Sequence, residues 1–310
     1  MLKKKPIILS VGCSYTDPNF KSHLKYLPDH ERGGWPIWTD HFKDKLEKYY
    51  NTKYEIIHCG RSGYGNDYAL TKILQNIAKY GDRIKFVLMG GTEWHRYQDT
   101  ITGMCINPLA SIRQHLRPMK IEPDDFLNWP KALHAAAIVT NLALYGQQEG
   151  RIKMILKGSE IYWNILQLCK NNNITLLLYQ LLIPIASVES CFREWQRILG
   201  KDNKDVNLRL NHKLNDFTDA KAFVLSPFAK DIFKHKEHFL GFKFLSLKNE
   251  HWDQYVKHKD LQDSLLVSPV TNILERDDLG QIKGQDMHPN AKGQEHIADQ
   301  LWKHYETNFL

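Results

Sequence analysis

The chain has 310 residues, enough for one large α/β domain or two modest ones. With 42% hydrophobic and 25% charged residues it has a globular composition, which excludes a disordered or fibrous chain. The formal net charge of +7 favours anionic partners such as a polysaccharide, but the lysines are spread along the chain and read as a solvated surface. Nucleic acid is therefore not an expected partner.

The opening "MLKKKPIILSVGC" has the basic start and apolar run of an export signal, yet Pro6 interrupts it and no small-residue cleavage site follows. No stretch approaches the roughly 18 apolar residues of a membrane span. The five cysteines (Cys13, Cys59, Cys105, Cys169, Cys191) are odd in number and lack CxxC spacing, which fits a reducing compartment. A cytoplasmic protein with no membrane association is the expectation.

In chain order, residues 6–12 predict a first strand, aliphatic except for Ser10. A helical pattern at 39–50 follows, then a strand at 54–58, a helix at 66–80 and a strand at 84–89. After a polar loop, 130–149 reads as a helix, and 157–172 as another opening at Gly158-Ser159-Glu160. A fourth strand, "ITLLLYQLLI", covers 174–183. The last segment predicts a helix with Pro289 at its first position and a stripe of Ile297, Ala298, Leu301, Trp302 and Tyr305. Continuous apolar strands alternating with helices imply a doubly wound, mostly parallel sheet in three α/β/α layers, flavodoxin-like. Residues 95–156 and 184–285 do not follow this rhythm and read as insertions within one domain of 1–310.

In open parallel sheets, ligands bind beyond the carboxyl ends of the strands. The first strand ends in "GCSYTD", the second in "CGRSGYGND" and the third in "GGTEWHR", while "DMHP" opens the last helix. The GxxGxG of Gly60, Gly63 and Gly65 is not the dinucleotide fingerprint, and no Walker lysine follows any Gly-rich loop. No cofactor is expected. His235 and His238, with His251 later, fall short of an ordered ligand set, so no metal is expected either.

A serine hydroxyl needs a base to take its proton, and the base needs an acid to orient it. Ser14, His288 and Asp286 supply those types, the last two standing two residues apart. Backbone N–H groups in Gly-rich turns supply donors for an oxyanion. Cys13 adjoins Ser14, but neighbours on a strand point to opposite faces, which makes a thiol nucleophile a distant second.

These blocks resemble those of the SGNH hydrolases, the GDSL-like lipase/esterase superfamily. "VGCSYTD" is similar to the first block, "GRSGYGND" to the second and "DMHPNAKGQEHIA" to the last. The resemblance covers about a third of the chain. It implies Ser14 as nucleophile, His288 as base, Asp286 as its acid, and Ser14 and Gly63 N–H as oxyanion donors, with Asn66 as a further one. Two departures stand out. The acid and base are two apart where the family has three, and Glu93 falls where the third block carries an oxyanion-binding asparagine. An ionised Glu93 would repel an oxyanion unless protonated, replaced in that role by Asn66 or Thr92, or neutralised by Arg96. Thr92, Glu93 and Arg96 are accordingly candidate substrate-binding residues.

The expected activity is a serine esterase acting on a small, acetyl-like acyl ester, with a carbohydrate ester as the substrate class. Transfer to an acceptor hydroxyl is the variant of this activity. The alternative is a catalytically inactive module of the same fold that binds a glycan or a partner protein. Trp35, Trp38, Tyr64, Trp94 and Trp129 lie near the candidate loops and read either as packing or as sugar-stacking surfaces. The oligomeric state is not legible in the sequence.

Overall fold

The computed structural model describes residues 4–22, 29–94, 96–98, 105–106, 148–182, 222–242, 281–282 and 286–310. Five strands form one sheet: β1 (Ile7–Gly12), β2 (Glu55–His58), β3 (Ile84–Gly91), β4 (Thr175–Gln180) and β5 (Phe239–Leu240). All neighbouring pairs are parallel, in the order β2-β1-β3-β4-β5. This is the doubly wound flavodoxin-like order, with its switch point between β1 and β3.

Alternation along each strand builds two cores. Ile7, Leu9 and Val11 of β1, with Val87, Met89, Leu176 and Leu178, face α2 (Asn66–Tyr80) and α3 (Gln148–Asn171). Ile8, with Phe86, Leu88, Leu177 and Tyr179, faces α1 (Trp38–Tyr50) and α5 (Ala291–Phe309). A strand buried on both faces has no room for a polar face, which is why these strands read as apolar runs. The exception, Ser10, donates to the Thr39 hydroxyl of α1 at 3.1 Å and is thereby satisfied in the core.

The strands and α1, α2 and α5 lie where the sequence places them, within a few residues. Two boundaries differ. The third helix begins ten residues before Gly158, which is interior: a Cβ there would meet the Trp94 ring at 2.2 Å. Gly158 marks a close approach, not a helix start. The last helix opens at Ala291, not at Pro289, because Asn290 is its cap and accepts the Gly293 N–H at 3.0 Å. Pro289 instead ends a short strand, Asp286–Pro289, paired antiparallel with Gln281–Ile282.

A short helix, α4 (Ala229–Lys234), leads to β5, which is too brief to be read from sequence. Most of the two insertions lies outside the described residues, including Trp129 and positions 130–147 of the helix expected over 130–149, whose last two positions fall in α3. No described helix is long and apolar enough to cross a membrane. Cys13, Cys59 and Cys169 are free thiols.

Candidate active site

β1 delivers its chain to the switch point and must then turn sharply. Gly12 adopts φ +149°, and a Cβ on it would fall 2.7 Å from Thr16 Oγ1 and 2.8 Å from the Gly90 carbonyl. Cys13 caps a single 3₁₀ turn, Ser14–Thr16, closed by Thr16 N–H donating to the Cys13 carbonyl at 2.9 Å. Trp38 Nε1 donates to Thr16 Oγ1 at 3.3 Å, tying the turn to α1. Gln294 of α5 accepts the Trp38 N–H at 2.9 Å, so the last helix is locked to the same corner.

That corner brings Ser14 and His288 together across 274 residues. Ser14 Oγ and His288 Nε2 are 2.8 Å apart, the distance of a hydrogen bond from hydroxyl to imidazole. The imidazole stacks on Phe20, ring centroids 4.0 Å apart, and lies 5.1 Å from Tyr15. These rings fix its plane. The backbone of Asp286 opens the strand that carries His288, opposite Ile282.

Cys13 is fully buried, unlike Ser14. Burial pushes its thiol up, a rise that nearby Arg96 lessens and Glu93 adds to. A thiol held protonated is a poor nucleophile.

The second strand end is drawn onto the first. Arg61 N–H donates to the Gly12 carbonyl at 2.9 Å, and Gly60 passes so close that a Cβ would meet the Thr16 carbonyl at 2.0 Å. Asp17 then accepts from the Ser62 N–H and hydroxyl at 2.9 and 2.7 Å. Gly63 follows at φ +84°, in the left-handed region that favours glycine. Arg61 lies over the Tyr64 ring at 4.7 Å.

Asn66 opens α2, and both ends of its amide engage Thr92. Its Oδ1 accepts the Thr92 N–H and its Nδ2 donates to the Thr92 carbonyl, each at 3.1 Å. Gln180 Nε2 donates to the same carbonyl at 3.2 Å, and Tyr162 donates to Gln180 Oε1 at 2.5 Å. Thr92 thus stands at the end of β3 inside a buried polar network. Its hydroxyl donates to Glu93 Oε2 at 2.7 Å. Arg96 completes the pattern, with Nη2 3.0 Å from Glu93 Oε1 and Nε 2.7 Å from Oε2. Each carboxylate oxygen of Glu93 therefore accepts one hydrogen bond, Oε2 from Thr92 and Oε1 from Arg96 Nη2, with the rest of the guanidinium in ion-pair contact.

Sequence reasoning overlooked Asp17, Phe20, Gln180 and Gln294. Asp17 stands three residues after Ser14 in the same block, but nothing in the chain links it to Ser62, 45 residues on. Of the aromatic residues near the loops, Trp38 and Trp94 are buried and pack in the core, whereas Trp35 and Tyr64 are half-buried.

No family model matches the chain, and no curated protein does. Among solved structures, it is similar to the psychrotrophic esterase EstA from Pseudoalteromonas sp., at 13% identity over 98% of each chain with a TM-score of 0.41. It is also similar to TesA, at 9% identity over 98% of this chain and 99% of the other, TM-score 0.41. A third is Axe2, an acetylxylan esterase from Geobacillus stearothermophilus, at 12% identity over 96% and 93% of the two chains, TM-score 0.40. With identities and scores this low, the chemistry has to come from this chain's own residues.

Proposed function

We propose that the chain is a serine hydrolase of SGNH type, acting on a small acyl ester through an acyl-enzyme. The observation that carries the reading is the 2.8 Å contact between Ser14 Oγ and His288 Nε2 at the sheet's switch point. Ser14 Oγ attacks the acyl carbon while His288 Nε2 takes its proton. The imidazolium then returns that proton to the departing alkoxide. Water, or an acceptor hydroxyl in the transferase variant, attacks the acyl-enzyme with His288 again as base and frees Ser14. Asp286 is the proposed acid that orients His288.

The oxyanion is proposed to lie against the N–H groups of Ser14 and Gly63, the second held near the first through Asp17 and Ser62. Asn66 is proposed to contribute chiefly by fixing Thr92, since both ends of its amide bond that residue. Arg96 holds Glu93 in an ion pair, which offsets the charge that an unpaired carboxylate would turn on an oxyanion. Thr92, Glu93 and Arg96 line the third strand end, where the acyl or alcohol group would be read. A carbohydrate ester is the proposed substrate class.

The test is labelling with a fluorophosphonate probe, followed by peptide mapping, alongside hydrolysis of a chromogenic acetate ester. The expected result is a label on Ser14 that needs His288, with ester hydrolysis lost in Ser14→Ala. A folded protein that is neither labelled nor hydrolytic would overturn the reading and leave the binding module.

A further inference from the structure

At the far end of α5 from Ser14, three ligand-bearing side chains converge on the connection between α4 and β5. They are His235, Glu237 and His238, whose ligand atoms all lie within 4.8 Å of one another. Glu237 Oε1 is 3.3 Å from His235 Nδ1 and 3.7 Å from His238 Nε2. Ligand atoms about 2.1 Å from a tetrahedral metal stand about 3.4 Å from each other, so the carboxylate is already spaced for a shared ion. The side chains are 18%, 34% and 15% exposed, in chain order, which leaves the cluster open to solvent.

The hydrogen bonds around the cluster set its lone pairs. His238 Nδ1 is 2.9 Å from the Leu176 carbonyl, which can only accept, so Nδ1 carries the proton. In the neutral ring Nε2 then keeps its lone pair, and it faces Glu237. Two acceptors facing each other gain nothing until a cation stands between them. His304 Nε2 donates to the Glu237 carbonyl at 2.7 Å and pins the turn from α5. The bond from His238 Nδ1 to the Leu176 carbonyl is the outer support that metal-binding imidazoles characteristically have.

One group opposes a cation. Lys170 Nζ lies 2.6 Å from His235 Nε2 and donates to it, which leaves the His235 proton on Nδ1, toward Glu237. Binding through Nδ1 requires that proton to leave, or to move to Nε2 as Lys170 swings away. Lys170 is exposed and has the freedom to do so. Lys234 and Lys236 flank the turn as well.

We propose that His235, Glu237 and His238 form a three-ligand site for a divalent first-row transition metal, zinc foremost, with water in the fourth position. Two imidazoles and a carboxylate are a ligand set such ions favour. About 20 Å of α5 separates His304, beside the turn, from the helix start next to His288. An ion there does not act on the ester; it braces the α4–β5 connection, whose His238 already bonds the Leu176 carbonyl of β4.

The test uses the full chain stripped with a chelator and titrated with Co²⁺, whose visible bands report tetrahedral coordination, and with Zn²⁺ in competition. The expected result is a saturable site that Glu237→Gln and His238→Ala each weaken on the order of a hundredfold. Lys170→Ala binds at least as tightly as the parent chain. Melting in excess chelator checks that the variants fold, and Glu237→Gln, half-exposed and isosteric, keeps the test usable if His238→Ala does not. Binding unchanged in Glu237→Gln and His238→Ala would place the ion elsewhere among the 15 histidines and overturn the proposal. Absent saturable binding, or weaker binding in Lys170→Ala, would overturn it too.

Discussion

Asp17 holds Ser62 by two hydrogen bonds, one from its N–H at 2.9 Å and one from its hydroxyl at 2.7 Å. Three residues before Asp17 is Ser14, and one residue after Ser62 is Gly63. A single carboxylate therefore spans the two strand ends whose N–H groups are proposed to meet the oxyanion. Asp17→Ala is expected to lower kcat for ester hydrolysis on the order of tenfold to a hundredfold with KM little changed. Fluorophosphonate labelling of Ser14 should slow but persist. An unchanged kcat would show that Gly63 is placed without Asp17.

Asn66 and Thr92 form a reciprocal pair in the core. Asn66→Ala leaves the Thr92 N–H without that acceptor, and the cost of a stranded buried donor is about 1–3 kcal/mol. The Thr92 carbonyl keeps Gln180 as donor, so the loss should stay within that range. Urea unfolding with an unchanged slope and a lower midpoint is the expected outcome.

The buried thiol beside the nucleophile separates two chemistries. Cys13→Ala should keep most ester hydrolysis, and native Cys13 should resist iodoacetamide because burial holds its thiol up and excludes reagent. Loss of activity in Cys13→Ala, with Ser14→Ala active, would reverse the assignment of the nucleophile.

Asp40 links acid stability to the second strand. Burial raises its carboxyl, but the bond from His58 at 3.0 Å, the His58 charge and the Ile37 N–H outweigh that and hold it below the usual value. A group depressed in the folded state stabilises above its unfolded value, about 3.9, and loses that contribution as pH falls through the folded one. The parent chain should lose stability below about pH 5. Asp40→Asn should flatten that acid limb and cost about 1 kcal/mol at neutral pH, where the helix cap is weakened. Chemical unfolding at several pH values checks both.

Gly158 tests the packing behind the third strand end. In Gly158→Ala the new methyl meets the Trp94 ring at 2.2 Å, and overpacking of this kind costs about 1–3 kcal/mol. Trp94 also lies against Tyr162, centroids 5.6 Å apart, so its near-ultraviolet circular dichroism should change. A variant as stable as the parent, with the same spectrum, would mean Trp94 can withdraw freely.

The local pattern determined the sheet. A strand packed on both faces must be apolar throughout, and a helix on one face must repeat every three or four residues. The strands read at 6–12 and 84–89 and the helix at 66–80 therefore declare themselves without reference to the rest of the chain. Ser14 and His288 were singled out by their residue types and by the blocks around them, and they stand 2.8 Å apart. Contact across space was not legible. That Asp17 reaches Ser62 and that Asn66 is absorbed by Thr92 depend on how strand ends converge, whereas the pair of Arg96 with Glu93, three residues apart, was already open to the sequence. Only the folded sheet sets that convergence. The same holds for Gly158, which looks like a helix start until Trp94 is seen against it, and for Glu237, which sequence spacing alone left out of the histidine cluster. Spacing along a chain fixes what neighbours can do; a hydrogen bond between residues 45 or 274 apart is decided by the packing that brings them within 3 Å.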